Sequence, residues 1–319
     1  MSTQRTKIGV ALGGGTTRGM THIGVLEALE ENKIPIDFLV GCSSGAIVAA
    51  AFACGRLQEL KEIVLDISRK RARRLLDFSF NGHGLIEGKR LESFFGFLTA
   101  HKNFEDLESI KLSFVTADAL TGETITLNSG SIAEALEMTV AVPGFMPLKR
   151  YQGRIVIDGG AAMIVPAKVA YEMGADKVIG IDVSVRRSII TRMAGNIRRI
   201  LKKSRLAKLT SPVFKIQERV KKIDEHHFLG KVKQIMKKIH LLDDYEKHDF
   251  NFVEIFLLAL RITSSDQRRG LFQDDECDVA IRPQVLHVGR KDVSQMKEMI
   301  AEGRRATEAK VSQIKKLLG

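Results

Sequence analysis

Short apolar runs that end in glycine alternate, in the first half of the chain, with longer stretches whose apolar residues recur every three or four positions. The first pattern predicts buried strands and the second predicts helices. Lys7 to Leu12 is an apolar run stopped by Gly13-Gly14-Gly15, which open a loop that reaches Gly19. Met20 to Glu31 then carries Ile23, Leu26 and Leu29 at helical spacing, and Pro35 stops it. Ile36 to Val40 is the next strand, followed by a turn of small residues and a helical run from Ala46 to Cys54. A strand, helix and strand in this order make a parallel crossover, so both strand C-termini fall on one sheet edge. The glycine loop and the small-residue turn are therefore neighbours, at the edge where open α/β sheets hold ligands.

The same reading continues down the chain. Leu57 to Arg74 and Gly88 to Ala100 are helical in pattern, with a loop, Asn81-Gly82-His83-Gly84, between them. Leu112 to Leu120 and Glu123 to Leu127 form a hairpin across Thr121-Gly122. Ser131 to Val140 is helical and Pro143-Gly144 ends it; Arg154 to Ile157 is a short strand running into Asp158-Gly159-Gly160. Val165 to Met173 is a helix capped by Gly174, and Lys177 to Val183 is a strand. Ordinary pattern returns at Asn251 to Ile262, with a strand at Asp278 to Ile281 and a closing amphipathic helix from Ser294 to Leu318. This predicts one α/β domain over residues 1–319, a central, mostly parallel sheet with helices on both faces in three layers. Residues 5–185 and 250–319 make the core, and residues 186–249 a basic helical insertion.

Charge sets the insertion apart. The 319 residues carry a net charge of +12, and Arg186 to Phe250 holds eighteen Lys/Arg against seven Asp/Glu, a net of +11. Ile189, Met193, Ile197, Ile200 and Leu201 form one apolar stripe there, and Phe228, Val232, Ile235, Met236 and Ile239 a second, both flanked by Lys and Arg. A basic amphipathic helix fits an anionic membrane surface or a partner; the alternative is a solvated face over the protein's own core. Few aromatics and no recognised motif speak against nucleic acid. Three cysteines, Cys42, Cys54 and Cys277, without CxxC spacing, give neither a disulfide framework nor a zinc site, so no metal or cofactor is expected. The longest uncharged run, Phe38 to Gly55, contains the glycine-serine turn and reads as a buried strand and helix rather than a membrane span. The short polar N-terminus shows no secretory signal, so the expected location is cytoplasmic, with peripheral membrane association through the insertion. The oligomeric state is left open.

The candidate chemistry centres on Gly41-Cys42-Ser43-Ser44-Gly45, a Gly-x-Ser-x-Gly between a strand and a helix. A sharp turn there pushes the serine Oγ out of the sheet and aims a helix N-terminus at any oxyanion the serine creates, which makes Ser43 a candidate nucleophile. Gly13, Gly14 and Gly15 lack the Gly-Lys-Ser/Thr ending of a phosphate loop, so their backbone N–H groups read as oxyanion donors, or as a plain tight turn. Asp158 precedes two glycines that let the chain turn at the sheet edge, making it a candidate base or an ordinary Asp-Gly turn. A serine needs such an acceptor within hydrogen-bond reach, and desolvation would make the carboxylate a better base. A triad completed by His248 or His287 is the alternative. His22 reads as a packed helix residue, and Ser44 and Cys42 as small fillers of the turn, where a bulky adduct on Cys42 should block the site.

Together these stretches resemble the patatin-like phospholipase family: the glycine loop ending in Arg18-Gly19, then Gly41 to Gly45, then Asp158-Gly159-Gly160. The likeness extends to Thr21-His22-Ile23-Gly24-Val25-Leu26 and to Ala141-Val142-Pro143-Gly144, and covers residues 5–185 with a weaker return from 250. It implies the patatin-like fold and hydrolysis of acyl esters of phospholipids or related lipids. Ser43 is then the nucleophile and Asp158 the base of a dyad without histidine. Gly13, Gly14 and Gly15 supply the oxyanion hole with Arg18 in support, and Gly41, Gly45, Gly159 and Gly160 shape the motifs. Family members often carry an asparagine shortly after Asp-Gly-Gly, where this chain has Ala161-Ala162-Met163. A non-enzymatic lipid-binding protein on the same fold is the competing class.

Overall fold

The computed structural model describes residues 5–66, 89–143, 146, 149–184, 272, 276–285, 287 and 293–318. The basic segment with both apolar stripes, His248, the loop at 81–84, Gly144 and the run 251–262 lie outside these residues.

The leading strands are β1 (Ile8–Leu12) and β2 (Phe38–Cys42), with α1 (Thr21–Glu31) between them and α2 (Ser44–Ala53) and α3 (Leu57–Asp66) after. Then come α4 (Lys89–Leu98), β3 (Lys111–Asp118), β4 (Thr124–Leu127) and α5 (Ile132–Thr139). β5 (Lys149–Tyr151), β6 (Arg154–Asp158), α6 (Ala167–Glu172) and β7 (Lys177–Ile181) follow, and β8 (Val279–Ile281), α7 (Met296–Glu308) and α8 (Val311–Lys315) close the described chain. The strands form one sheet in the order β5-β6-β3-β2-β1-β7-β8, with β4 also paired to β3. The five strands from β3 to β8 are mutually parallel. β4, β5 and β6 are antiparallel additions at the β3 end.

Two-residue periodicity divides the core between the sheet's faces. Ile8, Val10 and Leu12 of β1, with Leu39 and Phe114, pack into a cluster with α1, α2, α4, α5 and α7. Ala11, Val40, Cys42 and Val115 point the other way, against Val169 and Ala170 of α6. Full burial of Ile23, Leu26 and Leu29 ties α1 to the first cluster, each contributing roughly 1.5–3 kcal/mol. α7 lies directly on α1: a Cβ on Gly303 would meet the Thr21 carbonyl oxygen at 2.1 Å.

Among the described residues the expected elements are present with shifted ends, and the following points differ in kind. β2 runs on to Cys42 because Gly41 and Cys42 still find partners, Phe114 and Val115, on β3. β5 was not expected; Gln152 (φ 49°) and Gly153 (φ 77°) turn it into β6 with the two positive φ values a tight hairpin demands. The closing helix is two helices, because Lys310 N–H donates to Thr307 O, one residue short of the α-helical partner, and the turn brings Ile314 into the core. Residues 16–20 of the glycine loop form a 3-10 turn. Among the described residues no helix is long and apolar enough to cross a membrane.

Candidate active site

Parallel pairing of Leu12 with Gly41 puts the ends of β1 and β2 side by side, so the glycine loop and Ser43 are neighbours. β6 runs against β3, pairing Asp158 with Thr116, one residue beyond the Val115 that faces Cys42. Its antiparallel course carries the carboxylate back to the level at which β2 ends.

Ser43 sits between strand and helix at φ 52°, ψ −121°, a conformation that costs an L-residue about 1–3 kcal/mol. Close packing enforces the turn. A Cβ on Gly41 would lie 2.4 Å from Ala46 Cα, and one on Gly45 2.3 Å from Leu12 O. Ser43 Oγ donates to Asp158 Oδ2 at 2.6 Å, with no histidine between them. Asp158 Oδ1 accepts from Gly160 N–H at 2.8 Å, and the Asp158 N–H donates to Ala141 O at 2.9 Å. Gly159 lies where a Cβ would come 2.2 Å from Val115 O. The loop after the aspartate is closed by Ala162 and Met163 N–H groups donating to Gly159 O, so backbone holds what a side chain at 161–163 does not.

The glycine loop shows what its N–H groups do in this state. Gly13 N–H donates to Ile181 O and Gly14 N–H to Ile164 O, each at 3.0 Å. Gly15 N–H donates to Ser44 Oγ at 2.9 Å, so Ser44 is a partner of the loop rather than a filler. Gly14 lies beside Ser43: a Cβ there would be 3.4 Å from Ser43 Cβ. Arg18 is buried in the turn that follows, and burial lowers its pKa.

Two further residues singled out in the sequence are fully buried beside these turns. His22 is fully buried and donates from Nε2 to Gly13 O at 2.8 Å; the carbonyl only accepts, which fixes the tautomer. Burial lowers its pKa to about 4, against the opposing hydrogen bond to Gly13 and the charge of Asp182, so the ring is a neutral brace for the loop. Cys42 is fully buried beneath the turn, and burial, with the Asp158 charge adding, holds its thiol well above the ordinary value. Its side chain has no exposed surface, so an adduct there requires the turn to open first. His287 is exposed and pairs with Glu298 at 3.1 Å. Among the described residues no group of three or more His, Cys, Asp or Glu could hold a metal ion.

Thr139 escaped the sequence reading. It is the last residue of α5, fully buried, and its Oγ1 accepts the Ser43 N–H at 3.0 Å while donating to Val115 O at 2.6 Å. A polar residue in the last turn of a helix carries no local sign of such a role.

The family model described as Patatin-like phospholipase matches residues 10–171, the stretch from the glycine loop through Asp158. An uncharacterized NTE family protein of Mycobacterium bovis is 29% identical over 178 residues, 56% of this chain and 49% of that one. Neuropathy target esterase sws of Drosophila melanogaster is 29% identical over 186 residues, 55% of this chain and 13% of the fly protein. Patatin-like phospholipase domain-containing protein 6 of Homo sapiens is 30% identical over 193 residues, again 55% and 13%. The chain therefore spans about half the length of the mycobacterial relative and a small part of the animal ones.

Proposed function

Since the chain belongs to the patatin-like phospholipase family, we propose that it hydrolyses acyl-ester bonds of lipids, with Ser43 as nucleophile and Asp158 as its base. The observation that carries this is the direct 2.6 Å hydrogen bond from Ser43 Oγ to Asp158 Oδ2. Ser43 Oγ attacks the ester carbonyl as its proton passes to Asp158. The tetrahedral oxyanion collapses, the C–O bond to the alcohol breaks, and Asp158 returns the proton to the leaving alkoxide. Water, deprotonated by Asp158, then attacks the acyl carbon, the bond to Ser43 Oγ breaks, and Asp158 returns the proton to Ser43 as the free acid leaves.

The oxyanion needs donors aimed at where charge develops. Gly13 and Gly14 N–H groups are tied to main-chain carbonyls, whereas Gly15 N–H is tied to a side-chain hydroxyl that a rotation of Ser44 removes. Gly15 N–H, released in this way, and the N-terminus of α2 are the donors that fit best. Arg18, buried one turn along, adds positive charge behind the loop.

The names of the fly and human relatives, an esterase and a phospholipase-domain protein, agree with this reaction class. The test is labelling by a fluorophosphonate together with hydrolysis of a phospholipid and a soluble short-chain ester. Ser43→Ala and Asp158→Asn should each abolish label and turnover, and His287→Ala should keep them. Loss in His287→Ala would restore the triad; binding of lipid with neither label nor turnover in wild type would make this a lipid-binding protein. The net charge of +11 in Arg186 to Phe250 supports recruitment to an anionic membrane surface, at about 1 kcal/mol per basic residue near the bilayer. Deleting Ser188 to Lys247 should then weaken binding to anionic vesicles and spare turnover of the soluble ester. A folded deletion protein that binds vesicles as well as wild type would refute recruitment.

A further inference from the structure

The parallel ladder between β2 and β3 has a rung missing at its end, and Thr139 fills it. Lys111 N–H donates to Asp37 O, and Phe38 pairs with Lys111 through to Cys42 with Val115. Continued by one step, this alternation takes Ser43 N–H to Val115 O. At the elbow the chain swings out of the sheet, and the Thr139 hydroxyl stands in the gap. It accepts the Ser43 N–H at 3.0 Å and donates to Val115 O at 2.6 Å.

The relay fixes more than one peptide. Asp158 is registered to β3 through Thr116, the residue after Val115. The α5 end is itself pinned to β3, since Thr116 Oγ1 contacts the Met138 carbonyl at 3.4 Å and donates to Ile157 O at 2.5 Å. Nucleophile and carboxylate are thus referred to one strand, the first by way of the Thr139 hydroxyl and the second by ladder pairing.

We propose that Thr139 is a positioning residue of the active site, whose hydroxyl sets the distance between Ser43 Oγ and Asp158 by relaying the last rung of the sheet. This rests on the Ser43–Asp158 reading above. A hydroxyl at this place has both a lone pair and a proton to spend, and an aliphatic side chain of the same shape has neither. A misplacement of about 1 Å at a reacting centre is enough to cost on the order of 10²-fold.

The experiment compares Thr139→Val and Thr139→Ser with wild type. For the soluble ester, the valine protein should lose at least about tenfold in kcat with KM within about twofold, and serine should restore most of it. In parallel, the Ser43 amide, observed with 15N-serine labelling, should exchange slowly in wild type and the serine variant and fast in the valine variant. Unchanged kcat in a folded valine protein overturns the proposal, as does a serine variant as impaired as valine. If the valine protein does not fold, Thr139→Ala is read in its place. An unprotected Ser43 amide in wild type overturns the relay without any variant. Should wild type prove to have no esterase activity, the dyad reading fails by that measurement, and amide exchange alone still decides the relay.

Discussion

Ser43 holds a backbone conformation that glycine adopts freely and an L-residue does not, and comparing Ser43→Ala with Ser43→Gly isolates that cost. Both variants delete the hydroxyl, both leave Asp158 Oδ2 without its 2.6 Å donor, and both keep the N–H that Thr139 accepts. These shared losses cancel in the comparison. What remains is the strain of φ 52°, ψ −121°, about 1–3 kcal/mol for alanine and absent for glycine. Against it stands the greater unfolded-state freedom of glycine, roughly 0.5–1 kcal/mol. The glycine protein should therefore be more stable than the alanine protein by about 1 kcal/mol, although on the proposed role of Ser43 neither should turn over substrate. For a chain of 319 residues that is a difference of about 1.5 °C in Tm. Urea melts of the two variants, read by far-UV circular dichroism with equal slopes, give the difference directly. An alanine protein as stable as the glycine one, or more so, refutes a strained elbow at this serine.

Three further outcomes follow from the surroundings. Ser44→Ala should keep turnover within a few fold, because it frees the Gly15 N–H permanently, and should lower stability by about 1–3 kcal/mol for the buried donor left unpaired; a hundredfold fall in kcat would reject Gly15 as a donor released by Ser44. His22 has a folded pKa of about 4 against an ordinary value of 6.5, so the unfolded chain binds its proton first. Its stabilising contribution is complete above about pH 6.5 and is lost as pH falls toward 4, so Tm should decline across that window and do so less in His22→Gln; identical slopes would place the acid sensitivity elsewhere. Gly303→Ala should destabilise by about 1–3 kcal/mol, because its methyl meets the Thr21 carbonyl of α1 at 2.1 Å and backbone cannot yield; a wild-type melt would mean that α7 does not lie so close.

How much of this could be read from the chain depended on the range of the interaction. β1, the glycine loop, the Ser43 turn and Asp158 announce themselves locally, through an apolar run broken by residues whose small size the turn requires. The neighbourhood of loop and serine followed from crossover topology. The antiparallel arrival of β6 did not, because β5 is three residues long and its turn, Gln152-Gly153, lacks the Asn or Asp that marks such hairpins. Ser44 and Thr139 were illegible for a different reason. Their hydroxyls act on backbone groups 29 and 96 residues away, and no periodicity encodes a contact between a side chain and a distant peptide. His22 was correctly placed in packing, but only the fold reveals that it holds the Gly13 carbonyl.

The 115 positions from Ser43 to Asp158 also order events in time. A chain leaves the ribosome N-terminus first, at about 5–20 residues per second, so the carboxylate is made roughly 6–23 s after the serine. Through that interval the nascent chain carries Ser43 without the carboxylate to which it donates in the folded protein. α7, which rests on α1 behind the glycine loop, is later still. On the proposed Ser43–Asp158 reading, ester cleavage would be withheld from the growing polypeptide until β6 has turned back along β3, which would tie the onset of the reaction to the pairing of those two strands.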